Sequence, residues 1–171
     1  MADYIRLPIG DHAPQRVNAV VEIPQGSVHK YEYDEKLQVF RLDRTLYSPV
    51  HYPGDYGFIP STRGQDGDPL DVLVLVDVPS FPGCVMEVRP VGLLNMVDQG
   101  KNDEKILAVV ENDPIYKEIH EHGEVFPHLL REIEHFFSIY KSLEGKKTEI
   151  SGWSSAEAAR KLISEGRQRF H

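Results

Sequence analysis

Three carboxylates lie within six residues in the segment Asp66-Gly67-Asp68-Pro69-Leu70-Asp71. Carboxylates this close repel one another unless a cation or a shared proton lies between them. An apolar and largely β-branched run, Val72 to Val76, follows directly and predicts a buried strand. Oxygen-only ligands favour Mg²⁺, Mn²⁺ or Ca²⁺, so the pattern indicates a hard-metal site at the end of a rigid strand. The alternative is a solvated acidic turn.

A second acidic cluster runs from Asp98 to Lys105, between two predicted strands. Acids in a loop are usually solvated, but a β-fold can bring the ends of separate strands together. Four basic residues, Lys30, Arg44, Lys105 and Lys141, lie near acidic or aromatic residues. Each alone can be a surface cation. Together with the acids they supply what a polyphosphate needs, which is cations for its oxygens and carboxylates to hold metals.

Composition excludes several classes of protein. The 171-residue chain has a net charge of −8, which argues against nonspecific binding to nucleic acid or anionic membrane. Cys84 is the only cysteine, so neither an intrachain disulfide nor a cysteine-based zinc site is available. The first residues lack the apolar core of a signal peptide, and the longest apolar run, Leu70 to Val78, is too short to cross a membrane. We therefore expect a cytoplasmic protein.

Familiar nucleotide and catalytic motifs are missing from the sequence. There is no P-loop, no dinucleotide-binding GxGxxG after a strand and no nucleophile elbow. The first acidic cluster does not follow the EF-hand spacing, because Leu70 and Asp71 occupy its fifth and sixth positions. His128 and His135 share a predicted helix without forming HExxH, so we interpret the histidines as surface or subunit-contact residues.

Short segments rich in β-branched and aromatic residues predict strands up to about residue 111, where the composition changes. The predicted strands are Val17–Ile23, Lys30–Asp34, Gln38–Leu42, Leu70–Val78, Val85–Leu94 and Lys105–Val110. Tyr52–Pro60 is interpreted as a turn-rich link because it contains two prolines and two glycines. Such short strands, interrupted by glycine and proline, favour a sandwich or a small barrel.

Two helices are predicted in the last third of the chain. Pro127–Tyr140 has one apolar face, which should turn Tyr140 toward the body of the protein. A second helix should begin at Ser154, because Ser154 to Glu157 fits a capping box. Both are too short to form a domain of their own. We therefore expect one domain over 1–171, with a β-barrel over about 15–111 and a helical part over about 113–171.

Further motifs accompany the first acidic cluster along the whole chain. They are Glu22-Ile23-Pro24, Lys30-Tyr31-Glu32, Asp43-Arg44, Tyr52-Pro53-Gly54-Asp55-Tyr56-Gly57, Arg89-Pro90-Val91-Gly92, Asp98 through Asp103 to Lys105, His135-Phe136-Phe137, Tyr140-Lys141 and Gly152-Trp153. In this order and approximate spacing they resemble the soluble family I inorganic pyrophosphatases in their short bacterial form. One departure is Gln99, which stands beside Asp98 where many relatives carry an acid. The resemblance implies metal binding at Asp98, so Gln99 removes a negative charge near those metals.

The resemblance implies an α+β, mainly β fold, with an OB-like five-stranded closed barrel and two C-terminal helices packed on it. It implies Mg²⁺-dependent hydrolysis of inorganic diphosphate (pyrophosphate) to two orthophosphates in the cytoplasm. Several Mg²⁺ ions would bind in each active site, with Mn²⁺ or Zn²⁺ as candidate substitutes. A homohexamer is also implied, with no nucleic acid and no membrane among its partners.

Site residues carried over from the resemblance fall into three groups. The implied metal ligands are Asp66, Asp71, Asp98, Asp103 and Glu22. The implied phosphate-binding residues are Lys30, Arg44, Tyr56, Lys105, Tyr140 and Lys141. The implied catalytic residues are Asp68, Glu32 and Tyr56. Asp71 is expected to bridge two metals, and a metal-activated water or hydroxide would attack one phosphorus in line while Asp68 accepts or orients its proton.

Three other functions compete with this interpretation. An OB-like barrel can bind single-stranded nucleic acid on exposed aromatics such as Tyr31 and Tyr33, although the net charge argues against it. A Ca²⁺-binding structural module would explain the acids but gives no purpose to Lys30 or Lys141. A related hydrolase could prefer nucleoside or longer polyphosphates, although no signal for an adenine pocket is present.

Overall fold

The computed structural model describes residues 2–171, which form nine β-strands, two α-helices and short 3₁₀ turns. The strands are β1 (Val17–Ile23), β2 (His29–Asp34), β3 (Val39–Thr45), β4 (Asp55–Ile59), β5 (Leu70–Leu75), β6 (Val85–Asp98), β7 (Lys101–Asn102), β8 (Lys105–Val110) and β9 (Thr148–Ser155). The helices are α1 (Pro127–Ile139) and α2 (Ala156–Phe170).

Five of these strands form a closed ring. β1 pairs with β4, β4 with β5, β5 with β8 and β8 with β6, and β6 returns to β1. Only the β5–β8 pair is parallel within this ring. β7 and β9 extend the sheet along the long strand β6, while β2 and β3 form a separate hairpin. The predicted OB-like five-stranded barrel with two C-terminal helices is confirmed.

The interpretation of Tyr52–Pro60 as a link was wrong, because β4 lies inside it and is buried along its whole length. Gly57 explains both why a strand can form here and why the sequence pattern did not predict it. A Cβ at this position would lie 1.8 Å from the carbonyl oxygen of Val20 on β1. Glycine therefore permits the two backbones to approach closely, although in a sequence pattern it indicates a turn.

The C-terminal region differs from the prediction in two details. It contributes the strand β9 as well as the two helices. The helix α2 is capped by Ser155, whose hydroxyl accepts from the backbone N–H of Ala158, one residue later than the predicted cap at Ser154. Helix α1 has the predicted inner face, with Ile133, Phe136 and Phe137 buried against the barrel. Among residues 2–171, no helix is both long enough and apolar enough to span a bilayer.

Candidate active site

A cavity of about 440 Å³ collects acidic, basic and phenolic side chains. Its carboxylates are Glu22, Glu32, Glu35, Asp66, Asp68, Asp71 and Asp103. Its ammonium groups are Lys30, Lys105 and Lys141, and its tyrosines are Tyr31, Tyr33, Tyr52, Tyr56 and Tyr140. Most of the residues that the sequence predicted for the site therefore line the same cavity.

The first acidic cluster forms a loop that is tied to itself before β5 begins. The backbone N–H of Asp68 donates to Asp66 Oδ1 at 3.0 Å, and the N–H of Gly64 donates to the carbonyl of Asp68 at 2.7 Å. Gly67 has a φ of 90°, a conformation that side chains disfavour. This loop holds Asp66 and Asp68 at the cavity while Asp71 follows on the strand itself.

The ammonium group of Lys105 lies at the centre of the site. It donates to Asp71 Oδ2 at 2.8 Å, to Asp103 Oδ1 at 3.0 Å and to the hydroxyl of Tyr56 at 2.8 Å. An ammonium group has three donors, so all of them are engaged. Although burial opposes the charge, Asp71, Tyr56 and Asp103 raise the pKa of Lys105 well above its usual value. In this arrangement Lys105 holds Asp71, Asp103 and Tyr56 together.

The strand register explains why this lysine meets these acids. In the parallel pair β5–β8, Val72 is the partner of Ile106. The preceding residues, Asp71 and Lys105, are therefore neighbours at the same end of the barrel. Asp103 follows in the loop just before β8, so its side chain reaches the same ammonium group.

Burial and neighbouring carboxylates raise the pKa values of two acids of the cavity. Glu22 accepts a hydrogen bond from the backbone N–H of Tyr33 at 2.7 Å. Desolvation nonetheless raises the pKa of Glu22 to about 8, and the charges of Asp71 and Glu32 act in the same direction. Desolvation and the charges of Asp66 and Asp71 also raise the pKa of the Asp68 carboxyl. Acids in this state favour an added cation between them.

The oxygen donors of the cavity suit a hard divalent cation. Within residues 2–171, no three carboxylates are close enough together to enclose an ion. Lys105 uses only Oδ2 of Asp71 and Oδ1 of Asp103, so one oxygen of each remains for a cation. Because every candidate ligand is a carboxylate oxygen, the chemistry suits Mg²⁺ or Mn²⁺ better than zinc.

The other cations of the cavity are each paired with an acid. Lys30 Nζ lies 2.7 Å from Glu32 Oε1 and 4.0 Å from Asp43 Oδ2. Lys141 donates to Asp98 Oδ2. Burial alone would raise the pKa of the Asp98 carboxyl, but the hydrogen bond and the charge of Lys141 lower it below its usual value. These lysines are therefore held at the cavity by ion pairs that an entering anion can share.

Two of the predicted site residues, Asp98 and Arg44, do not line the cavity, but each is next to a lysine that does. Asp98 accepts a hydrogen bond from Lys141, and Arg44 is the cross-strand neighbour of Lys30. The structure also adds Tyr52, which the sequence analysis did not assign to the site. Its side chain is fully buried, and its hydroxyl has no hydrogen-bond partner within residues 2–171. The spacing of Tyr52 and Tyr56 in one motif was the signal that could have identified it.

Comparison with known proteins gives consistent matches over almost the whole chain. The inorganic pyrophosphatase family model matches residues 19–171. The inorganic pyrophosphatase of Halalkalibacterium halodurans is 52% identical over 152 residues, which cover 89% of this chain and 93% of that protein. The crystal structure of inorganic pyrophosphatase from Thermus thermophilus superposes with a TM-score of 0.96 at 46% identity and covers 99% of each chain.

The fold and these matches together define an enzyme of the hydrolase class, built on an OB-like barrel. Identity near one half extends over nine-tenths of the chain, well beyond the acidic motif alone. The chain belongs to the inorganic pyrophosphatase family.

The raised pKa of Glu22 predicts a pH-dependent stability in the absence of divalent cations. With a folded-state pKa of about 8 against 4.5 for the free group, the folded state binds more protons between these values. The free energy of unfolding should therefore fall as pH rises from about 5 to about 8, by at most about 1.4 kcal/mol per pH unit from this group. Urea unfolding with a chelator present would measure this slope, and Glu22→Gln should lose it.

The exposed Glu118 provides the control, since Glu118→Gln should keep the wild-type slope. Each slope difference between a variant and the wild type isolates one carboxyl from the other titrating groups. Parallel curves for Glu22→Gln and the wild type would show that Glu22 titrates normally in the folded protein.

Proposed function

We propose that the protein hydrolyses inorganic diphosphate to two orthophosphates, with Mg²⁺, by in-line attack of a water molecule. The observation that carries the proposal is one cavity in which carboxylates and three lysines lie together. Carboxylates alone would repel a dense anion, and lysines alone would bind it without activating water. A site for a metal-complexed polyanion needs both.

The metal ligands are proposed from their positions in the family motifs. For Asp71 and Asp103 the proposal also rests on the carboxylate oxygen that Lys105 leaves free. Asp66, Asp71 and Asp103 would hold the tighter cation, with Asp71 bridging to a second. Asp98 and Glu22 would take part in binding further Mg²⁺ ions that arrive with the substrate, and Mn²⁺ or Zn²⁺ are candidate substitutes. A bound divalent cation supplies Lewis-acid polarisation of phosphate oxygens and lowers the pKa of a coordinated water.

The residues of the chain divide the remaining work. Asp68 would accept or orient the proton of the attacking water, and its raised pKa makes it a better base than an ordinary aspartate. Glu32 lies 2.7 Å from Lys30 and would keep that ammonium group aimed into the cavity. Because burial raises the pKa of Tyr56, its hydroxyl stays protonated and can donate while it accepts from Lys105.

The phosphate oxygens would be bound mainly by Lys30, Lys141 and Tyr140. Tyr140 is buried at the end of α1 and lines the cavity, and burial raises its pKa so that it remains a donor. Arg44 would contribute from the rim. These groups would stabilise the charge that builds on the equatorial oxygens and on the departing phosphate, without a phosphorylated enzyme intermediate.

The first expected outcome is metal-dependent turnover. Purified protein should release phosphate from pyrophosphate rapidly with Mg²⁺ and lose this activity when excess chelator is added, because the acids then lack their cations. A phosphate-release assay measures both states. Folded, metal-loaded protein that leaves pyrophosphate intact would contradict the proposal, and the assay would then turn to nucleotides and longer polyphosphates.

A matched pair of variants should separate metal binding from proton transfer. Asp71→Asn should lower kcat by roughly 10³-fold or more, because each 1.36 kcal/mol of lost transition-state stabilisation is tenfold. Asp68→Asn should keep its affinity for Mg²⁺, measured by calorimetry, and lose rate. Asp11→Asn, an exposed change outside the cavity, serves as the control. Normal turnover by Asp71→Asn at saturating Mg²⁺ would exclude the bridging role, and loss of Mg²⁺ by Asp68→Asn would make Asp68 a ligand.

We also propose that residues 1–171 act as one cytoplasmic domain that assembles into a homohexamer. Large apolar side chains remain exposed on one chain, among them Leu37, Val39 and Leu42 near the β2–β3 hairpin and Phe126 before α1. Surfaces of this kind often mark contacts between copies. Sedimentation should give a species of six times the chain mass, and a monomer at working concentrations would rule the assembly out.

A further inference from the structure

The turn after α1 carries a buried carboxylate that no motif in the sequence singled out. The backbone N–H of Glu144 donates to the carbonyl of Lys141 at 3.0 Å, and Gly145, with a φ of 73°, ends the turn. Only 7% of the Glu144 side chain is exposed. One tight turn thus connects a predicted phosphate-binding lysine with a carboxylate that is withdrawn from water.

This carboxylate faces the guanidinium group of Arg44. Glu144 Oε1 lies 2.8 Å from Arg44 Nε and 4.0 Å from Lys146 Nζ. The shorter contact is an ion pair without the alignment of a hydrogen bond, and Glu144 Oε2 has no hydrogen-bond partner within residues 2–171. Because a buried carboxylate without a cation is unfavourable, the burial of Glu144 depends on Arg44.

Arg44 is linked to two lysines that line the cavity, to one by strand pairing and to the other through Glu144. It is the cross-strand partner of Lys30, and Glu144 connects it to the turn that begins at Lys141. Its Nη1 donates to Asp43, whereas its Nη2 makes no hydrogen bond within residues 2–171. Carboxylates therefore contact Nε and Nη1 of the guanidinium group, and Nη2 is left for an anion.

A second contact fixes the two segments relative to each other. The hydroxyl of Ser48, shortly after β3, donates to the carbonyl of Ile139 at the end of α1, at 3.1 Å. The strand that carries Arg44 and the turn that carries Glu144 are thus tied together independently of their ion pair. The pair can therefore orient the guanidinium group against a backbone frame that does not need it.

We propose that Glu144 is a positioning residue that aims the guanidinium group of Arg44 at the phosphate groups of the substrate. This inference rests on the proposed function, since it concerns how Arg44 takes part in diphosphate binding. An arginine side chain has several rotatable bonds, and ordering it on binding opposes affinity. A buried carboxylate at Nε restricts those conformations before the substrate arrives.

Glu144→Gln tests the proposal because it removes the charge and keeps the shape. We expect KM for magnesium pyrophosphate to rise about tenfold while kcat changes less than about threefold, as for the loss of a contact made equally in ground and transition states. The Kd for imidodiphosphate, which has nitrogen in place of the bridging oxygen, should rise by a similar factor in calorimetry. Glu144→Asp, which keeps the charge, should recover part of both and remains informative if Glu144→Gln folds poorly.

The same change in an Arg44→Ala background separates positioning from a general structural effect. If Glu144 acts only through Arg44, Glu144→Gln should add less than about twofold to KM in that background, because the two effects are then not additive. An undiminished effect there would overturn the proposal. So would a lowered melting temperature with KM and Kd unchanged, which is the result expected of a merely structural residue.

Glu149→Gln is the matched control, because Glu149 is exposed and pairs with Lys147 on the same stretch of chain. It should leave KM and Kd as in the wild type. Wild-type protein that fails to hydrolyse pyrophosphate would overturn the proposed function, whereas positioning would stand if Glu144→Gln still weakened imidodiphosphate binding. Wild-type protein that binds no imidodiphosphate would overturn both.

Discussion

The site depends on the hydrogen bonds and ion pairs made by the buried ammonium group of Lys105. A charge in this position is tolerated only when acids and dipoles satisfy it completely, and Asp71, Asp103 and Tyr56 do so. The same contacts let two aspartates approach each other that would otherwise repel. The contacts of Lys105 therefore stabilise its own buried charge and also allow the carboxylates of Asp71 and Asp103 to lie close together.

The barrel in turn explains why these four groups meet. The parallel register of β5 and β8 sets Asp71 beside Lys105, and the antiparallel pairing of β4 brings Tyr56 opposite Ile23 on β1. That pairing requires the close approach that Gly57 permits. The position of Tyr56, a proposed catalytic residue, thus depends on backbone packing at its neighbour Gly57, which has no side chain.

Much of this could be predicted from particular stretches of sequence, and some could not. β1 and β8 were predicted to the residue, because their apolar runs end at clear turn or charge signals. β4 was missed, because the glycine that lets it pack reads locally as a turn. The hydrogen-bond partners of Lys105 also could not be predicted, because no local sequence pattern indicates whether a lysine will face a substrate or a buried acid. The ion pair of Arg44 and Glu144 joins segments far apart in sequence, and only the fold brings them together.

The distribution of charge gives a physical reason to expect that the proposed cation and anion binding depend on each other. Lys30 and Lys141 already share their charge with Glu32 and Asp98, so a bare polyanion would gain little by entering and would still face the remaining acids. A cation alone would relieve the acids but find no counter-charge. When both arrive, the lysines can turn to phosphate oxygens and the released carboxylates can turn to the cations. These ion pairs at the cavity fit the proposed ligand, which is a complex of a metal ion with a polyanion.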